Sequence, residues 1–158
     1  MKRITILIVL FILMTITVFK DASAETDRLR LYSTEGSFED IRLFVQDAII
    51  GQGLVIDYTG KPGLMLERTR ADVGGSKIYK NAEFSLFCSA IISRATMEAD
   101  AANISFCPYI IFYYELESQP EKIYVGYRRP AITGSDESRK SLMAVDKLLH
   151  KIVREATE

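Results

Sequence analysis

Cys88 and Cys107 are the two cysteines of this chain, and neither belongs to a C-x-x-C, a C-x-x-C-H or a zinc-ligand spacing. Haem attachment and structural zinc are therefore disfavoured, and two uses remain. A disulfide would close a loop of about 20 residues and stabilise the fold by roughly 3 kcal/mol on the chain-entropy account. Alternatively the two lie at opposite ends of a sheet and stay thiols, one acting as a nucleophile or sulfur carrier. That use needs a helix N-terminus or a cation to lower the thiol pKa, and Cys88 directly precedes an expected helix, with Arg94, Arg128 and Arg129 as candidate cations. The sequence leaves both open.

A second group is polar. Asn81, Glu83, Asp100, Asn103, Arg128 and Arg129 fall at the edges of expected elements, where ligands are commonly read. Asn81, Glu83, Tyr109 and Arg128 are the candidate ligand-binding residues, in a cleft lined by Tyr109, Tyr113 and Tyr127. The competing account makes Glu83 and Arg128 solvated strand ends that contribute little. All eight tyrosines follow Ala24, and Tyr113, Tyr114, Tyr124 and Tyr127 fall on one expected hairpin. They could form a protein interface or simply pack a small sheet. The single histidine, His150, reads as a surface or boundary residue of the last helix rather than a catalytic base. No P-loop, dinucleotide-binding glycine pattern or metal-ligand cluster appears, so no cofactor is expected.

The compartment is read from the first residues. Lys2 and Arg3, an uncharged apolar block from Ile4 to Phe19, and Ala22-Ser23-Ala24 make a secretory signal with an A-x-A cleavage site. The block is shorter than the roughly 20 apolar residues a membrane span needs, so cleavage after Ala24 is expected rather than retention as an anchor. A mature domain of 134 residues, 25–158, then folds in the periplasm or outside the cell, where disulfides form. The whole chain has 20 basic and 21 acidic residues, and the signal removes three basic and one acidic, leaving a net charge of −3. Such a weak charge argues against nucleic acid as a partner.

Periodicity then places the elements. Leu29 and Leu31 alternate with polar neighbours as a strand; Ser37 and Asp40 form a capping box ahead of helical Ile41, Phe44, Val45, Ala48 and Ile49. A strand over Leu54–Tyr58, a short helix over Leu64–Val73, a strand over Phe84–Cys88, a helix over Ser89–Ala102 and a hairpin of Tyr109–Glu115 with Ile123–Arg128 follow. Ser135 caps a final helix with the apolar stripe Leu142, Val145, Leu148, Leu149 and Ile152. This order implies one α+β domain whose sheet is covered on one face by helices.

Met65-Leu66-Glu67-Arg68-Thr69-Arg70-Ala71-Asp72-Val73-Gly74, Asn81-Ala82-Glu83-Phe84, Phe87-Cys88-Ser89-Ala90, Phe106-Cys107-Pro108-Tyr109, Tyr114-Glu115 and Tyr127-Arg128-Arg129-Pro130 resemble the domain-of-unknown-function 302 family. Their order and spacing resemble its exported branch, over roughly Leu31 to Pro130. The resemblance implies a curved, largely antiparallel sheet with helices on one side. It brings no established activity and no catalytic residues. The family's proline before the long strand corresponds to Pro108; many members place a cysteine after it, whereas this chain has Tyr109 there and Cys107 before.

Absent catalytic motifs lean against an enzyme. The leading expectation is an exported, non-enzymatic binding or accessory module that holds a small polar ligand or a periplasmic partner between the sheet and the Ser89–Ala102 helix. The alternative is a thiol-dependent redox enzyme or sulfur carrier acting through Cys88 or Cys107, and a third reading is assembly through the tyrosine-rich face.

Overall fold

A computed structural model describes residues 28–158. The expected signal, Met1–Ala24, lies outside the described residues. Strand β1 (Leu29–Glu35) leads through Gly36 into helix α1 (Phe38–Gly51), then β2 (Ile56–Gly60), α2 (Pro62–Val73), β3 (Tyr79–Phe87) and α3 (Ala90–Ala99). A 3-10 turn (Ala101–Phe106) precedes β4 (Tyr109–Leu116), β5 (Gln119–Arg128) and the closing helix α4 (Asp136–Thr157). The strands form one sheet in the order β1-β5-β4-β3-β2, every neighbour antiparallel. The fold is the α+β class that the element order implied.

Local chemistry sets the helix starts. The Ser37 hydroxyl accepts from the Asp40 N–H at 3.1 Å and donates to the Asp40 carboxylate at 2.6 Å, satisfying a backbone donor that a helix start otherwise orphans. Ser89 accepts from the Ile92 N–H, and Ser135 from the Ser138 N–H. α2 instead starts on Pro62, whose missing N–H costs nothing at the first helical position.

The core lies between one sheet face and the pair α1 and α4. α1 buries Phe38, Ile41, Val45, Ala48 and Ile49, and α4 buries Leu142, Val145, Leu149, Ile152 and Val153. They meet Phe87, Ile111, Tyr113, Ile123, Val125 and Tyr127 from alternate positions of the central strands. α2 buries no residue; it starts beyond the end of β2, with Gly63 against the Ala82 backbone of β3. No helix among the described residues is long and apolar enough to cross a membrane.

The bounds of three elements change, β2 spanning Ile56–Gly60 where Leu54–Tyr58 is expected. β3 begins at Tyr79, ahead of the expected Phe84, and its helix-side positions are Ser85 and Phe87. The helix expected over Ser89–Ala102 ends at Ala99, because Asp100 is extended (φ −160°, ψ 120°) and its carboxylate caps the Ala102 N–H at 2.9 Å. Asn103 follows within the 3-10 turn. It is buried, and its amide donates to the Thr96 carbonyl at 3.0 Å and the Ser138 hydroxyl at 2.9 Å, tying α3 to α4.

Candidate functional site

β3 and β4 are antiparallel neighbours with Phe87 opposite Tyr109. The residue after β3 and the residue before Pro108 therefore arrive at the same end of the sheet. Cys88 and Cys107 form a disulfide there, with their Cα atoms 6.4 Å apart. Of the two uses open to the pair, the structure takes the bond: neither described cysteine is a free thiol. The bond fastens the start of α3 to the start of β4, and Ser93 of α3 adds a hydrogen bond to the Tyr109 hydroxyl at 2.9 Å.

The candidate polar residues divide between two ends of the sheet. Asn81 lies opposite Glu115 and Glu83 opposite Tyr113, whereas Tyr109 lies opposite Phe87. Six residues of strand, about 20 Å, separate Tyr109 from Glu115. Arg128 stands two residues beyond the Phe112–Gly126 pair, at the Tyr109 end. Asn81 and Glu83 thus do not share a site with Tyr109 and Arg128.

At the Asn81 end an open cavity of about 680 Å³ is bordered by Gly36, Phe38, Lys80, Asn81, Glu115 and Lys122, among others. Three of its polar side chains are committed to one another. Glu115 is 3% exposed and accepts three hydrogen bonds at 2.9 Å, from the Lys80 ammonium, the Asn81 amide and the Glu121 backbone N–H. Burial alone would push its carboxyl up; the Glu121 N–H, the Lys80 and Asn81 hydrogen bonds and the Lys80 charge outweigh it and hold the group below the usual range. Lys80 is raised in turn by its hydrogen bond and ion pair with Glu115. Nearby, Glu83 lies 3.4 Å from the Lys61 ammonium through Oε1, while its buried Oε2 and the buried Nε of Arg42 have no hydrogen-bond partner among the described residues.

The three tyrosines expected to line a cleft are core residues. Tyr109, Tyr113 and Tyr127 are all buried, and their hydroxyls pair with Ser93, Ser85 and Asp146. Burial raises all three phenols above their ordinary value, and the Asp146 carboxylate raises Tyr127 further.

Tyr109 still contributes one wall to the second cavity, about 200 Å³, with Phe106, Pro108, Ile110, Pro130 and Leu149 as apolar surroundings. The cavity lies between the 3-10 turn, the strand ends and α4, not between the sheet and α3. Two arginines border it. Arg129 holds Asp146 at 2.9 Å, the same carboxylate that accepts from Tyr127. Arg128 is exposed, and its guanidinium makes no ion pair or hydrogen bond with another described residue. Here a permanently charged, bidentate donor borders an apolar hollow, its donors unused among the described residues.

Glu115, Lys80 and Asp146 were not among the expected site residues. Glu115 had a readable signal, since it continues the inward alternation Tyr109, Ile111, Tyr113 of β4, and a carboxylate at a core position demands partners. His150 is an exposed residue of α4 that meets the Tyr32 hydroxyl at 2.9 Å. No cluster of three His, Cys, Asp or Glu suited to a metal ion occurs among the described residues.

No protein-family model matches the chain, and no curated protein matches it. Among solved structures, the chain is similar in fold to an uncharacterized conserved DUF302 protein from Bacillus stearothermophilus. The superposition has a TM-score of 0.68 at 8% sequence identity and covers 81% of this chain and 97% of that one. The likeness establishes a DUF302-like fold.

Proposed function

We propose that this protein is an exported, non-enzymatic binding module, resembling the exported branch of the domain-of-unknown-function 302 family. It takes a small anionic ligand with a short apolar body in the cavity between Tyr109 and Arg128. One observation carries the reading: Arg128 is a charge without a side-chain partner among the described residues beside an apolar hollow, whereas Glu115, Lys80 and Asn81 at the larger cavity already satisfy one another. Ligand sites combine apolar walls with a few placed polar groups, and a guanidinium selects carboxylate or phosphate. The A-x-A segment and the paired cysteines support export.

The test is a thermal-shift screen of small aliphatic and aromatic carboxylates and phosphate esters. A ligand at about 100 times its Kd adds about 2.7 kcal/mol of stability, a shift of several degrees for a domain of this size. Arg128→Ala should keep the fold and lose the shift. A screen with no stabilising acid, or a shift that persists in Arg128→Ala, refutes the reading.

A further inference from the structure

The sheet face opposite α1 and α4 lacks the polar alternation of a solvated antiparallel sheet. On β4 its positions are Ile110, Phe112, Tyr114 and Leu116, so this strand is apolar on both sides except for Glu115. Strand registers put Phe84, Phe112 and Gly126 in one row across β3, β4 and β5, and Ala82, Tyr114 and Tyr124 in the next. Tyr114 stacks on Tyr124 (ring centroids 5.0 Å apart, planes 14° apart) and on Phe112 (6.3 Å, 18°), and Tyr79 meets Tyr114 edge-on at 5.5 Å. Leu31 of β1, 40% exposed, and Tyr58 of β2, 59% exposed, extend the surface to the two outer strands.

We propose that this face is the interface of a two-fold symmetric dimer of the chain, formed by packing the open faces of two sheets against each other. The proposal is independent of the ligand reading. Size is the first argument. Five strands about 4.8 Å apart, and about 3.4 Å per residue along Ile110–Leu116, give a flat footprint of roughly 400 Å². Standing side chains raise the accessible area toward the ~800 Å² per partner of a standard stable interface, and apolar patches of several hundred Å² are uncommon on monomers.

Charge is the second argument. No charged side chain projects from β4 or from Ala82–Leu86 on this face. At one margin Glu35 of β1 and Lys122 of β5 are register partners, an opposite-sign pair, and at the other the exposed Arg128 of β5 shares the face of Tyr124 and Gly126. The centre of the face is therefore uncharged, so a second copy meets no like-charge field there, as an isologous interface requires. The aromatic content without central charge matches the core of an interface.

The test is sedimentation equilibrium at tens of micromolar on protein purified without reductant from cells expressing the full chain, with the polypeptide mass taken from the same sample. Twice the polypeptide mass is expected. Phe112→Glu and Leu31→Glu should each raise the dimer Kd at least about tenfold, a cost of about 1.4 kcal/mol. Leu31, on the first strand and already exposed, keeps the test valid if Phe112→Glu fails to fold. A monomeric wild type overturns the proposal, including one whose face binds lipid vesicles instead. A dimer unaffected by both glutamates overturns it too.

Discussion

The Glu115 carboxylate accepts the backbone N–H of Glu121 at 2.9 Å, and Glu121 is the one described non-glycine residue with a positive φ, 68°. Its carbonyl in turn accepts from the Gly36 N–H at 3.0 Å. A side chain of β4 thereby holds an irregular stretch of β5, where the register shifts, in a backbone conformation that costs of order 1 kcal/mol or more. That stretch then fixes the chain between β1 and α1.

Removing the charge of Glu115 should be felt throughout this corner. Glu115→Gln is expected to lower stability by roughly 1–3 kcal/mol at neutral pH, the range for charge-assisted hydrogen bonds. The native carboxyl titrates below its ordinary 4.5, so its contribution is present above 4.5 and is lost as pH falls through the lowered native value. Urea unfolding of both proteins at pH 7 and in steps below 4.5 checks this. The gap between them should narrow in acid, and a gap that stays constant contradicts the assignment.

The disulfide joins residues 19 apart in sequence. A loop of this length contributes roughly 3 kcal/mol on the chain-entropy account. Replacing both Cys88 and Cys107 by serine should therefore lower the urea midpoint with little change in slope. A double variant as stable as the parent would mean that the bond is not a staple, and would favour the alternative of thiol chemistry at Cys88, beside the α3 N-terminus.

Most helices and strands were legible from periodicity and caps, since those signals are local: the Ser37–Asp40 box, the stripe of α4, the alternation of β4; α2, with no side-chain cap and no buried residue, offers neither signal, and β3 begins five residues ahead of its expected start. Strand order is not local. Whether Cys88 and Cys107 meet depends on β4 lying beside β3, and whether Asn81 and Arg128 share a site depends on which strand ends coincide. Parity along a strand says which residues share a face, not which end of a neighbour they adjoin. Asp100 was misread for a related reason: helix propensity across Ser89–Ala102 is favourable, and a single side-chain cap on Ala102 overrides it.

Gly126 sits in mid-β5 with ordinary strand geometry, so its glycine is explained by space rather than by φ. A Cβ there would lie 2.5 Å from the Arg30 carbonyl oxygen of β1, 2.8 Å from the Phe112 ring and 3.0 Å from a Leu31 methyl. Two neighbours close on it from opposite sides, one of them backbone, so neither a rotamer change nor a small shift relieves both. Gly126→Ala is expected to cost about 1–3 kcal/mol, the usual range for overpacking. Adding Phe112→Leu to Gly126→Ala removes the ring contact but leaves the Arg30 carbonyl in place, so it should recover only part of the loss. Thermal unfolding of the two variants at high dilution, where association does not contribute, checks this. Full recovery in the double variant would show that the ring alone sets the constraint, and no loss in Gly126→Ala would show that β1 and β5 separate more readily than their register implies.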